Sequence, residues 1–256
     1  MSPVDDILGK FEGIGLREMD KVKLMDRTDT KYTFSLKQLS EILEEAQPFY
    51  RVLEVEGKRI SRYKTLYYDT ANFSLYTRHH NGELNRYKIR HRTYVESHIG
   101  FLEVKFKNNK GRTIKDRIKK AEAPADWEGE TGLFLQSKLP FDVNSLVPVL
   151  WVNYSRLTLV NKESAERLTI DLDLEFIKDG KTKNFNKLVI AEVKQEKRKA
   201  SPFTLLMKKH HIREGSISKY CMGVVATQHE VKKNNFKEKL RTLKHIVDYD
   251  YIITVR

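Results

Sequence analysis

The chain has 256 residues, 39% hydrophobic and 32% charged, which is apolar enough for a buried core and excludes a disordered polymer. Lys and Arg number 48 against 35 Asp and Glu, and a net charge of +13 points to a polyanionic partner: nucleic acid, an anionic membrane surface or a phosphate-rich small molecule. The one cysteine, Cys221, excludes a disulfide scaffold and a Cys-based zinc site, and no run approaches the ~20 apolar residues of a membrane helix. Asp5, Asp6 and Glu12 stand where a secretory leader would be basic and then apolar, so a cytoplasmic protein is expected. No repeat or linker divides the sequence, and 1–256 reads as one domain with a core at about 21–226 and a C-terminal helix and strand at 232–256.

In chain order, alternation with a period of two predicts strands at 23–34, 65–69, 84–94, 100–107, 111–119, 150–160, 167–177, 186–195 and 249–255, all rich in β-branched and aromatic residues. Helical spacing is confined to four pieces. Ser35 and Gln38 resemble a capping box ahead of a stripe of Leu36, Leu39, Ile42, Leu43 and Ala46. Ser201-Pro202 starts a second helix to about 210, Ser218 caps a third through 225, and 236–247 is a charged amphipathic fourth. The expected class is α+β, mainly antiparallel β, closed or nearly closed, with a few covering helices.

Three motifs fail. Gly180-Lys181-Thr182 lacks the first glycine of a phosphate-binding loop, because Glu175 occupies that position, and Asp179-Gly180 reads better as a hairpin turn. Gly13 and Gly15 open a dinucleotide fingerprint that Glu18 breaks. His79-His80 and His210-His211 lack a third ligand.

The charge rows remain. Lys88, Arg90 and Arg92 share one strand face, as do Glu103, Lys105 and Lys107, then Lys115 and Arg117. Arg167, Thr169, Asp171, Asp173 and Glu175 form another row, Glu192, Lys194 and Glu196 another, and Asp29 and Lys31 the first, each opposed by apolar residues. Such rows can simply meet water. They can also line the inside of a barrel, with the apolar faces outward under the helices. Two like charges 4 Å apart repel by about 1 kcal/mol in water and about 4 kcal/mol at an effective dielectric of 20, so an inward cluster would be stabilised by a polyanion. The pattern alone leaves both arrangements open. Lys88, Lys107 and the lysines after Val231 read as solvated, and few aromatics interleave with the basic rows.

The ordered series Arg90-His91-Arg92, Glu103-Val104-Lys105, Lys115-Asp116-Arg117, Asn153-Tyr154-Ser155-Arg156, Arg167-Leu168-Thr169-Ile170-Asp171, Glu192-Val193-Lys194 and Ser218-Lys219-Tyr220 resembles the VTC domain. This is the catalytic domain of the vacuolar transporter chaperone complex, within the CYTH-like triphosphate tunnel metalloenzymes. The resemblance implies an eight-stranded closed barrel that binds triphosphate-like ligands with a divalent metal, Mn²⁺ or Mg²⁺, and that makes polyphosphate from the γ-phosphate of ATP. It implies phosphate-binding roles for Lys31, Arg90, Arg92, Lys105, Lys115, Arg156, Arg167, Ser218 and Lys219, and makes Glu192 the principal metal ligand. Arg90, Arg92, Arg156 and Arg167 would clamp the transferred group, with Arg117 and Lys194 as further substrate contacts and Glu103 or Asp173 assisting Glu192. Asp171 and Glu103 could instead be counter-charges for the arginines. Two departures stand out: Asp29-Thr30-Lys31 replaces a Glu-x-Glu-x-Lys signature, and Ser216 stands where the eukaryotic polymerases carry a lysine. A triphosphatase in the same tunnel is the alternative enzyme, and a non-catalytic polyanion-binding module, without specific nucleic-acid recognition, the alternative class. Export of a product would require a membrane partner protein.

Overall fold

The computed structural model describes residues 3–19 and 28–247. The predicted strand at 249–255 and the start of the one at 23–34 lie outside the described residues. In chain order the elements are α1 (Pro3–Gly9), β1 (Gly13–Ile14), α2 (Leu16–Met19), β2 (Thr28–Ser35), α3 (Leu39–Ala46), β3 (Tyr50–Leu53), β4 (Ser61–Thr70), α4 (Ser74–His80), β5 (Arg86–Tyr94), β6 (Ile99–Lys107) and β7 (Thr113–Lys119). There follow α5 (Gly129–Lys138), β8 (Leu146–Asn161), β9 (Glu166–Lys178), β10 (Lys181–Phe185), β11 (Leu188–Gln195), α6 (Pro202–Lys209), β12 (Glu214–Gly215), α7 (Lys219–Thr227) and α8 (Lys237–Val247). Among the described residues none of these helices is long and apolar enough to cross a membrane.

The sheet runs β12-β2-β11-β9-β8-β4-β5-β6-β7, with β10 on β9 and β3 between β1 and β8. The expected closure into an eight-stranded barrel is not found: among the described residues the sheet has twelve strands and β7 pairs only with β6. A physical reason lies at the other end, where β12 takes the outer edge of β2 at Lys31 and Tyr32. The sheet is nevertheless strongly curled. Lys31 and Asp29 on β2 act electrostatically on Lys105 of β6, although five strands separate β2 from β6 along the sheet. A flat sheet with neighbours ≈ 4.8 Å apart would hold those groups out of reach of one another.

The convex face is covered as the alternation requires. Helices α1, α3 and α6 bury Leu8, Leu39, Ile42, Phe203 and Met207 against Phe34, Leu159, Ile170 and Val193. The predicted caps form here: Ser35 and Gln38 make a capping box, and Ser201 with Pro202 starts α6. Helix α5 packs on Ile89, Leu102 and Val104 of β5 and β6.

One helix departs from the expected arrangement. On β11 the residues Leu188, Ile190, Glu192 and Lys194 share a face by alternation, and the first two join the core built around α7. On β8, Leu150, Val152 and Tyr154 share a face with Arg156 and join the same core. Helix α7 therefore packs on the concave face, over its apolar half. Gly223 lets it approach closely: a Cβ there would lie 2.5 Å from Leu150 Cδ2 and 2.6 Å from Phe176 Cδ1. Phe176 reaches this face because β9 bulges beside Asp173, which adopts φ 51°, so that the alternation changes phase between Asp171 and Leu174.

Candidate active site

The charged half of the concave face is assembled from β2, β11, β9, β8, β4, β5, β6 and β7, with Ser218 and Lys219 entering from the start of α7. Three carboxylates organise its cations. Glu103, only 1% exposed, accepts from Arg90 Nε at 2.7 Å and pairs with Lys115. Burial disfavours its charge, but Arg90, Arg92 and Lys115 outweigh that and hold its pKa at about 2. Asp171 accepts the guanidinium fork of Arg156, 2.8 Å at Nη2, and the ammonium of Lys219. Burial again opposes the charge, while Arg156 and Lys219 hold this carboxyl well below the usual range. Glu192 pairs with Lys31 opposite it on β2 and accepts from Lys194 at 2.6 Å. Lys194 also donates to Thr169 Oγ1 at 3.1 Å.

The lysines outnumber their counter-charges, and their protonation shows it. Burial, with Arg90, Lys88 and Lys31 nearby, lowers the pKa of Lys105 to about 7. Burial lowers Lys31 and Lys115 to about 8 each, against the partial support of Asp29 and Glu103. Lys194 is lowered by burial and by Arg156. Such a face is electrostatically unsatisfied until an anion enters it.

The proposed clamp residues are close neighbours through shared partners rather than through one another. Arg90 donates to Tyr67 OH at 3.3 Å, and Arg92 to Thr65 Oγ1 at 3.3 Å. The guanidinium carbons of Arg92 and Arg156 both lie over Tyr63 and Tyr154, at 5.1–5.7 Å from the ring centroids. Arg167 stands opposite Lys194 in the β9–β11 register, at the far side of the Glu192 group. Arg117 is exposed on β7, over the ring of Phe101 at 4.2 Å.

Two readings of the sequence change. Lys88, expected to be solvated, is half-buried and donates to Ser218 Oγ at 2.9 Å. Aromatics do interleave with the basic rows: Tyr63 and Tyr67 on β4, Tyr94 on β5, Phe101 on β6 and Tyr154 on β8 all alternate onto the charged face. The signal was present in Tyr63-x-Thr65-x-Tyr67, which the predicted strand at 65–69 truncates.

Glu103 and Glu192, the expected metal ligands, are held in separate ion-pair groups. The cluster of carboxylates and histidine dense enough to hold an ion, among the described residues, is Glu41, Glu45 and His210, on the helices of the convex face and already engaged by Lys209. The donor set at Glu192 still suits a hard cation that takes one carboxylate and completes its shell with water and phosphate oxygens. Glu192 would have to exchange Lys31 or Lys194 for that ion.

No curated protein sequence matches this chain. Among solved structures, an adenylyl cyclase candidate from Hippeastrum, HpAC1, described as having a dominant triphosphatase activity, is similar over 80% of this chain and 98% of its own, at 14% identity and TM-score 0.50. An adenylate cyclase candidate from Bacillus halodurans is similar over 76% of this chain and 96% of its own, at 15% identity and TM-score 0.47. At 14% identity the likeness to the Hippeastrum protein is one of fold. The sequence profile of the VTC domain matches residues 26–228, most of the chain, and the protein belongs to the VTC domain family.

Proposed function

We propose that the concave face carries out metal-dependent phosphoryl transfer, making polyphosphate from the γ-phosphate of ATP. The observation that supports this most is the excess of cations gathered around three internal carboxylates on one concave face: half-buried Lys31 and Lys105, with Lys115 at the more exposed edge, all have pKa values lowered by desolvation and neighbouring cations, the condition an entering polyphosphate relieves. Phosphoryl transfer requires little covalent chemistry from the protein; it requires in-line placement and neutralisation of the equatorial oxygens.

In this reading Arg90, Arg92 and Arg156 bind the transferred group, pre-oriented by Glu103, Thr65 and Asp171. Lys31, Lys105, Lys115, Lys194 and Lys219, with Ser218 and Arg167, hold the flanking phosphates. A Mg²⁺ or Mn²⁺ held by Glu192 would supply further neutralisation of phosphate oxygens. An acceptor phosphate is already anionic, so no strong general base is needed. Helix α7, covering the apolar half of the face, sets the inner boundary of the charged half.

The test is incubation of the pure protein with ATP and Mn²⁺, with products run against polyphosphate standards and an Arg90→Ala/Arg92→Ala control. Long chains from the wild type alone establish the reaction and the clamp. Phosphate or pyrophosphate without chains favours hydrolysis, the activity described for the Hippeastrum protein, and Ser216 in place of a lysine already leans that way. Triphosphate binding without turnover, unchanged in Glu192→Ala, leaves a polyanion-binding module.

A further inference from the structure

The concave face is not charged to its end. On β5 the row Lys88, Arg90, Arg92 continues with Tyr94, and on β6 the row Lys105, Glu103 continues with Phe101. Phe101 stands directly opposite Arg92. Rings follow one another across neighbouring strands: Tyr154 stacks on Tyr63 at 5.1 Å and 10°, Tyr63 lies 5.0 Å from Tyr94, and Tyr94 meets Phe101 edge-on at 6.0 Å. Tyr154 and Tyr63 are covered by arginines and by each other, whereas Tyr94 and Phe101 are half-buried at the end of their rows. Exposed Arg117 lies over Phe101 at 4.2 Å. The N-cap of α7 reaches Lys88 at the opposite end of the β5 row, and Lys219 beside it lies over the ring of Tyr154 at 4.7 Å, the far end of the ring series from Phe101.

We propose that Tyr94 and Phe101, with Arg117 as a movable cover, form a stacking shelf for the base of a nucleoside triphosphate whose phosphates lie on Arg92 and Arg90. The inference rests on the phosphate-binding reading of the charged rows and adds a second subsite to it. On β5 the order Arg90, Arg92, Tyr94 runs from charge to ring, as phosphates run to base along the ligand, and Phe101 beside Arg92 adds a second ring at the same end. Arg and aromatic faces both stack on bases, and an arginine that covers a ring in the empty protein can close over a base laid on that ring. Stacking of this kind discriminates weakly among bases and separates a nucleotide from a bare phosphate chain. The shelf therefore makes the preferred donor a nucleoside triphosphate of broad base identity, favouring the larger purine surface.

The test compares ATP, GTP, CTP and inorganic tripolyphosphate as ligands of the wild type and of Tyr94→Leu/Phe101→Leu, by calorimetry of the full chain. Leucine keeps apolar bulk, and a cooperative melting curve of the variant reports independently of ligand that it is folded. The expected result is a roughly tenfold loss of ATP and GTP affinity, a smaller loss for CTP, and unchanged tripolyphosphate binding. A second readout is the fluorescence of 2-aminopurine riboside triphosphate, quenched on binding to the wild type and restored in the variant at saturating protein. Unchanged ATP affinity, or equal losses for ATP and tripolyphosphate, overturns the shelf and leaves the phosphate site standing. Failure of the wild type to bind either ligand overturns both. Should the double variant not fold, Arg117→Ala supplies the same comparison, with equal ATP and tripolyphosphate losses overturning the shelf.

Discussion

Lys88 Nζ donates a 2.9 Å hydrogen bond to Ser218 Oγ, the same oxygen that caps α7 by accepting from Cys221 N–H. One hydroxyl thus ends a helix and holds a lysine of β5 on the charged face. Replacing Ser218 with Ala removes the cap and should destabilise the protein by about 1 kcal/mol. Ser218→Asp should keep the cap, since aspartate serves that role well, yet lose affinity for triphosphate because its charge repels phosphate. Melting curves and calorimetry separate the two effects; tight triphosphate binding by Ser218→Asp would place this serine outside the phosphate path.

Glu103 is a buried carboxylate serving Arg90 and Lys115. Removing one partner of such a group leaves buried charge uncompensated, which costs about 3–5 kcal/mol. Glu103→Gln should therefore lower the melting temperature, and tripolyphosphate should restore more of it than in the wild type, since the anion replaces the missing charge. Equal ligand-induced shifts in both proteins would argue against an anion seat beside Arg90.

Binding should be coupled to proton uptake. Lys105 has its pKa lowered to about 7 by burial and by Arg90, and Lys31 and Lys115 have theirs lowered to about 8. An unfolded lysine titrates near 10.4, so between about pH 7 and 10 the unfolded chain binds more protons and these groups make the empty protein gain stability as pH rises. That stability is lost again as pH falls from about 10 to the folded pKa values, below which the dependence levels off. A polyanion raises those values again. Calorimetry at pH 8 in buffers of different ionisation enthalpy should show net uptake, and triphosphate affinity should fall above pH 8. A buffer-independent heat would show that the ligand does not meet these lysines.

Gly223 sits inside α7, where alanine would ordinarily favour the helix by about 1 kcal/mol. Here a methyl group meets Leu150 and Phe176 at 2.5–2.6 Å, so Gly223→Ala should instead destabilise by roughly 1–3 kcal/mol and weaken triphosphate binding by displacing Ser218 and Lys219. A stabilised variant would mean that α7 does not pack on the concave face.

Much of the fold was legible as alternation. The Lys-Arg-Arg row at 88–92 and the Glu192-Lys194 pair each lie on one strand, and a period of two assigns their faces without tertiary information; the row read from Arg167 to Glu175 holds only as far as Asp171, because the bulge at Asp173 reverses the faces beyond it. The capping box at Ser35 and the start of α6 at Ser201-Pro202 were legible for the same reason, because caps are local chemistry. The short strand at Tyr50–Leu53 and the helices at Ser74–His80 and Gly129–Lys138 carry too few periods to stand out.

What the sequence determined by itself is therefore most of the set of faces, which side chains share a side of each strand, up to the bulge that moves Asp173 and Glu175 off the face predicted for them. Which faces meet was decided only by the tertiary structure. The curl that brings Lys31 within reach of Lys105, the edge taken by β12, and the phase change beside Asp173 that turns Phe176 toward Gly223 all depend on pairings between residues far apart in the chain. Alternation records a residue's side of its own strand and carries no information about the neighbouring strand, so it predicted the charged rows and left both their closure and the place of α7 to long-range packing.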